Sequence, residues 1–214
     1  MSEPARAVRQ WFRGQIAGVG STSGTRVVVG HWTDTPLGEF SDAMVETAAG
    51  HRVLLAPHWE ASEFIEATYS FDDVRIEPFV VEQVGDTWQV RSTSLELELT
   101  VGRRTGLGRL LRAVPRRVAE APAWCVVTDP VARVALRGVR TRGTANRERR
   151  EWYGATDSHR VTAMTGRFDG TDLGGLTPVD PPTRFGFSST PRRPSVTDVV
   201  TTVVSPAPPA APSR

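Results

Sequence analysis

Residues 87–101 read TWQVRSTSLELELTV, and within them Leu95, Leu97 and Leu99 alternate with Glu96 and Glu98. A period of two sends successive side chains to opposite faces, so the run predicts a strand with one face in a core and the other in water. Gly85-Asp86 separates it from VRIEPFVVEQV and reads as the short turn of a hairpin. The same grammar recurs along the chain. RVVVGHW (26–32), DAMVETAA (42–49) and HRVLLAP (51–57) are apolar runs bounded by turn residues. AWCVVTD, VARVALRGV, HRVTAMTGRF, RFGFSS and SVTDVVTTVV repeat it in the second half. About ten strands with tight turns, and no regular βαβ alternation, predict a β-rich α+β fold. The expected architecture is a single-domain antiparallel barrel or sandwich.

Helical signals are few. In GLGRLLRAVPRRVAEAP (106–122), Leu107, Leu110, Leu111, Val114 and Val118 recur at helical spacing, with Arg109, Arg112 and Arg116 on other faces. This is the one main amphipathic helix, and Pro115 should kink or end it. Its leucines are expected to cover a sheet while its arginines stay in water. EASEFIEATYSF (60–71) spaces like a helix in its first half and like a strand at its end. A short helix is also expected near the start, at Val8, Trp11 and Phe12. GVGSTSG (18–24) has glycine spacing like that of a dinucleotide loop, but such a loop needs a strand before it and a helix after it. A strand-like run follows instead, so a flexible Gly/Ser turn is the better reading. The organisation expected is an N-terminal segment at 1–25, a β-rich domain at 26–204, and a disordered Pro/Ala tail at 205–214.

All 26 basic residues besides histidine are arginine, and there is no lysine. A catalytic lysine must shed its proton to attack a carbonyl, which arginine cannot do. Schiff-base chemistry, pyridoxal phosphate attachment and a Walker-type phosphate lysine are therefore excluded. Any catalysis must be lysine-independent acid–base chemistry of lyase or hydrolase type. A single cysteine, Cys125, excludes an internal disulfide. His31, His51, His58 and His159 show no ligand spacing, so neither a metal nor a cofactor is expected. No apolar run reaches the length of a membrane span, and MSEPARAVRQWFRG lacks a signal-peptide core. The expected location is the cytoplasm.

Charge is segregated. Residues 1–100 carry 7 arginines against 15 acids, and residues 101–150 carry 13 against 3. Such a chain can hold an anionic ligand or pair its own halves. TDTPLGEFSD (33–42) crowds Asp34, Glu39 and Asp42 around a Pro-Gly turn, with Phe40 as a possible wall. Acids in a turn are usually solvated, but Glu39 brought close to Arg149 and Arg150 would make a charge-polarised pocket. RERREWYGATDSHR (147–160) has three readings: a solvated connection, a pocket wall, or a nucleic-acid strip. The acidic first half argues against nucleic acid.

REWYGATDS (150–158) resembles the Gly-Arg-Glu-x-x-x-aromatic-Pro-Lys-Lys stretch of the acetoacetate decarboxylase-like superfamily, and TPLGEF (35–40) resembles its Gly-Pro-Tyr-type turn. Arg150 and Glu151 match, whereas Arg149 stands where the glycine would be and Thr156 where the proline would be. Asp157 and Ser158 replace the lysines. The resemblance implies a β-rich cone around a small-molecule cavity, with the decarboxylase chemistry lost or replaced. The chain as a whole also resembles a family found in GC-rich actinobacteria, a resemblance that brings no activity with it. The ligand-binding set expected is Glu39, Arg150, Glu151, Trp152 and His159, around a small, anionic organic ligand. The alternative is a non-enzymatic interaction module in which the arginine-rich segment 103–117 docks on an anionic partner or membrane surface. Oligomeric state is left open.

Overall fold

Strand after strand pairs with its neighbour until one 13-stranded sheet, curled into a half-barrel, takes in every strand among the described residues. The structure is a computed structural model and describes residues 8–115, 142–145, 149–186 and 190–205. In chain order the elements are β1 (Val8–Ser21), β2 (Arg26–Asp34), β3 (Phe40–Glu46), β4 (Arg52–Ala56), α1 (Trp59–Glu66), β5 (Asp73–Ile76), β6 (Phe79–Val84), β7 (Thr87–Ser92), β8 (Leu95–Arg104), α2 (Gly106–Ala113), β9 (Arg142–Ala145), β10 (Arg149–Phe168), β11 (Thr171–Asp172), β12 (Leu176–Thr177) and β13 (Ser195–Ser205). The main path runs β5-β4-β3-β2-β1-β13-β10-β8-β7-β6, and β4–β5 is its one parallel pair. The antiparallel β-rich expectation is met, with two eight-residue helices among the described residues.

The alternation at 95–99 does what its period predicts: Leu95, Leu97 and Leu99 are buried and both glutamates are exposed. These leucines join Val27, Val29, Ala43, Val45, Trp88 and Val90 in a core between the two halves of the curled sheet. Burying each such side chain contributes roughly 1.5–3 kcal/mol. The Gly85-Asp86 turn closes the β6–β7 hairpin, with Gly85 at φ 64, where glycine has no steric penalty. At the open ends of the sheet, Arg75 of β5 reaches Ser94 and Asp169. Glu77 accepts from the Ser94 backbone and hydroxyl, which ties the β5–β6 connection to the β7–β8 turn.

Three sequence expectations change, and one, the Gly/Ser turn, is met. The helix predicted at Val8, Trp11 and Phe12 is part of the long strand β1, lying between β2 and β13. Phe12 is 2% exposed and Trp11 52%, the two-sided pattern of a strand rather than a helical stripe. The predicted Gly/Ser turn is present but short, at Ser21–Thr25, with Gly24 at φ 83. EASEFIEATYSF resolves into α1, capped by the His58 side chain accepting from the Ala61 N–H, followed by irregular chain rather than a strand. RERREWYGATDSHR is not a loop where it is described. From Arg149 onward it is the first half of β10, held between β13 and, in turn, β9 and β8.

Segments AWCVVTD and VARVALRGV, Cys125, Arg116, Arg117 and the tail 206–214 lie outside the described residues, and of RFGFSS only the irregular 184–186 is described. The helix read in 106–122 is α2, which ends at Ala113 just ahead of Pro115, one of the two outcomes expected of that proline, while 116–122 lie outside the described residues. Gly108 is its buried residue, lying against β10, while Leu110 is 66% exposed rather than covering the sheet. Among the described residues no helix is long and apolar enough to cross a membrane.

Candidate functional site

Because side chains alternate across a strand, β1, β2, β10 and β13 each send one set to the inner face of the curled sheet and another to the outer face. The outer set is covered by α1. Ala61, Phe64 and Ile65 of this helix pack with Phe12, Phe40 and Leu54. The helix does not fill the space completely, and a cavity of about 60 Å³ remains beneath it. Its walls are Phe12, Ile16, Val28, Trp32, Phe40, Met44, Phe64 and Ile65, and polar groups enter from Asp42, Thr68, Tyr69, Tyr153 and Thr201.

Asp42 is the feature that sets this cavity apart. It sits on β3 directly opposite Gly30 of β2, 4% exposed, and its Oδ1 accepts a hydrogen bond from Trp32 Nε1 at 2.9 Å. Burial pushes its carboxyl up from 3.8 to about 7, against the opposing pull of the Trp32 hydrogen bond. Gly30 makes the arrangement possible. A Cβ there would meet Asp42 Oδ1 at 2.5 Å and Trp32 Nε1 at 2.6 Å, so the strand needs glycine for the carboxyl and indole to meet.

Three further polar groups line the same space. Thr201 stands between Phe12 of β1 and Tyr153 of β10 in the strand register. Its Oγ1 is buried and has no hydrogen-bond partner among the described residues. Tyr153 and Tyr69 share a hydrogen bond between their hydroxyls, which joins β10 to the chain just after α1. Aromatic packing fixes the walls: Phe12 stacks on Phe64 at 4.1 Å and meets Trp32 edge-on at 6.3 Å.

The inner face opens at one end into a wide polar mouth of about 620 Å³, lined by Arg13, Gln15, His31, Thr33, Glu39, Gln83, Thr156 and Asp198. Gln83 donates to Gln15 and Gln15 donates to Asp198, both at 2.7 Å. His31 bonds the Ser41 hydroxyl through Nδ1 at 2.8 Å. Burial holds its pKa below the usual histidine range, with Glu39 opposing.

The sequence-predicted residues lie in the β2–β3 connection and on β10. Glu39, exposed in the β2–β3 connection, lines the polar mouth. Trp152 and His159 are half-buried on β10 and line neither cavity. Arg150 and Glu151 are placed by backbone register alone, opposite Val204 and Val203 of β13. Asp157 is buried. Its burial is outweighed by hydrogen bonds from Arg104 Nε and the Ser158 N–H, which hold it below the ordinary carboxylate range. Of the three acids read as solvated turn residues, Asp34 and Glu39 are exposed, but Asp42 belongs to β3 and is buried. The available signal was Phe40-x-Asp42-x-Met44: at period two, the acid shares a face with two apolar neighbours. Among the described residues no group of three or more histidine, cysteine or acidic side chains is placed to hold a metal ion.

No protein-family model matches this chain, and no curated protein does. It is similar in structure to an acetoacetate decarboxylase from Legionella pneumophila, at 9% identity and a TM-score of 0.36, over 96% of this chain and 86% of that one. It is also similar to a second acetoacetate decarboxylase structure, at 7% identity and a TM-score of 0.41, over 96% and 88% of the two chains. At these values the likeness assigns neither activity nor site residues.

Proposed function

We propose that this chain binds a small, largely apolar organic molecule in the cavity beneath α1, with Asp42 and Thr201 holding its polar group. The observation that carries the reading is Asp42, a buried carboxyl with one donor, Trp32, facing an aromatic-walled space. Ligand sites combine an apolar lining with a few convergent polar groups, and a strongly perturbed acid marks such a place. Thr201 strengthens it, because a buried hydroxyl without a partner costs free energy that a ligand's hydrogen bond would offset. At about 10–15 Å³ per water-sized position, the space suits a ligand of about four to six heavy atoms. The described lining holds a carboxyl and no arginine, which argues against the anionic ligand read from the charge segregation.

Side-chain NMR with small alcohols and amides tests the proposal. Shifts should be confined to cavity residues and disappear in Val28→Phe, which fills the space. Thr201→Val, of nearly unchanged shape, should weaken binding of hydroxyl ligands without disturbing the fold. Shifts spread over the polar mouth, or retained in both variants, would overturn it. A second reading, docking of α2 on an anionic partner or membrane surface, rests on exposed Leu110 between exposed Arg109 and Arg112. Sedimentation with anionic vesicles tests that reading.

A further inference from the structure

Two acids on the outer face of β3 show what the cavity lacks. Glu46 stands opposite Arg26 in the strand register, and Arg26 Nη2 lies 3.1 Å from its Oε1. Arg184 adds a second guanidinium at 2.8 Å and donates its backbone N–H to Oε2. Asp42, four residues back on the same face, has glycine opposite and no cation among the described residues. Its strand neighbours leave it a hydrogen bond from a neutral indole and a wall of rings. A buried carboxylate is stable when a positive charge reaches it, and aromatic faces also attract cations.

We infer that the occupant of the cavity is a small protonated amine, whose ammonium pairs with Asp42 and donates to Thr201 Oγ1 while its alkyl body packs among Phe12, Trp32, Phe40 and Phe64. The inference rests on the cavity being a ligand site, and names the ligand's class. Each donor and acceptor then has a role. The ammonium supplies the positive charge that Arg26 supplies to Glu46. Thr201 Oγ1, buried without a partner, gains a donor. The rings exclude water, which strengthens the ion pair.

Amine binding must therefore be coupled to proton release from Asp42. Among the described residues, the other titratable groups lining the cavity are Tyr69 and Tyr153, already bonded to each other. Outside the lining, His58 caps α1 with its ring 6.0 Å from Phe40, paired with Glu60, while His31 lies on the opposite face of β2. Neither is placed to supply the missing charge.

Three probes of matched shape test the inference: tert-butylammonium, its neutral isostere tert-butanol, and the anion pivalate. The Trp32 indole N–H resonance, assigned by its loss in Trp32→Phe, reports events at the Asp42 carboxyl. At pH 8 tert-butylammonium should bind at least about tenfold tighter than tert-butanol, and pivalate should not bind. Between pH 8 and pH 5.5 its affinity should fall about tenfold or more as Asp42 takes up its proton, with tert-butanol nearly unchanged. In Asp42→Asn, which keeps the shape, tert-butylammonium should lose its advantage while tert-butanol still binds. Equal affinity for cation and alcohol at pH 8, or cation binding that survives Asp42→Asn, would overturn the amine inference and leave the cavity as a ligand site. Silence from all three probes would overturn both readings.

Discussion

The two ends of β3 carry the same functional group in opposite circumstances. Glu46 and Asp42 are both buried carboxyls on the outer face, and each looks across to one residue of β2. Across from Glu46 that residue is Arg26; across from Asp42 it is Gly30. At one end the chain supplies the counter-charge and the acid acts as a structural joint. At the other it supplies space, and the acid is left at a pKa of about 7, near the pH at which it can change charge. Burial alone therefore does not mark a site. What distinguishes Asp42 is burial beside a cavity with no cation reaching it among the described residues.

The sharpest way to break this comparison is to remove the paired acid. Glu46→Ala leaves Arg26 buried without its partner and should cost about 3–5 kcal/mol, read from urea unfolding. A loss below about 1 kcal/mol would mean that the pair is not structural and that the two ends of β3 are alike.

Next comes the pH dependence of the unpaired acid. Asp42 holds its proton to about pH 7 when folded, against 3.8 as its ordinary value. Its contribution to stability is therefore fully present below pH 3.8 and is lost as pH rises toward 7. The slope in that window approaches about 1.4 kcal/mol per pH unit. Subtracting the stability curve of Asp42→Asn from that of the wild type should show this decline, and above pH 7 the asparagine variant should be at least as stable. A flat difference curve between pH 4 and 7 would show that Asp42 is not desolvated.

Gly30→Ala probes the space itself. The added methyl meets both the carboxyl and the indole, so a cost of about 1–3 kcal/mol is expected. The Trp32 indole resonance should move with it. An unchanged resonance and full stability would show that glycine is not what makes room for Asp42.

The smallest effect belongs to Arg184. Its side chain is 67% exposed, so Arg184→Ala should cost no more than about 1 kcal/mol although its contact with Glu46 is short. A loss as large as that of Glu46→Ala would move the weight of the joint from Arg26 to the surface.

Much of the fold was legible. The runs that became β2, β3, β4, β6, β7 and β8 announce themselves by alternation and by bounding turns. The start of the chain was misread because Val8, Trp11 and Phe12 also fit a helical spacing, and a short segment cannot separate the two periods. Pairing with β2 and β13 on both sides decided it. REWYGATDS leaves its element open for a related reason: its polar residues fit a connection as well as a strand, and β13 pairing along its length decides it. There Asp157 found its partner, Arg104, through the fold.

The site was less legible. Glycines and acids in 30–42 could be seen, but Asp42 was grouped with exposed neighbours because sequence proximity says nothing about solvent. Thr201 and the tyrosine pair carried no local signal, since Tyr69 and Tyr153 meet across 84 positions of chain.

By itself the sequence determined that the chain is β-rich, that its strands have two unlike faces, and that no lysine chemistry is open to it. These follow from residue type and period, which are local. Only the tertiary structure decided which face holds a carboxyl with no counter-ion among the described residues. Register placed Gly30 opposite Asp42 and Arg26 opposite Glu46, and α1 then covered part of that face. The physical reason is that an acid's behaviour depends on desolvation and on the charges within a few ångströms. Both are set by what the fold lays over it, not by its neighbours in the chain.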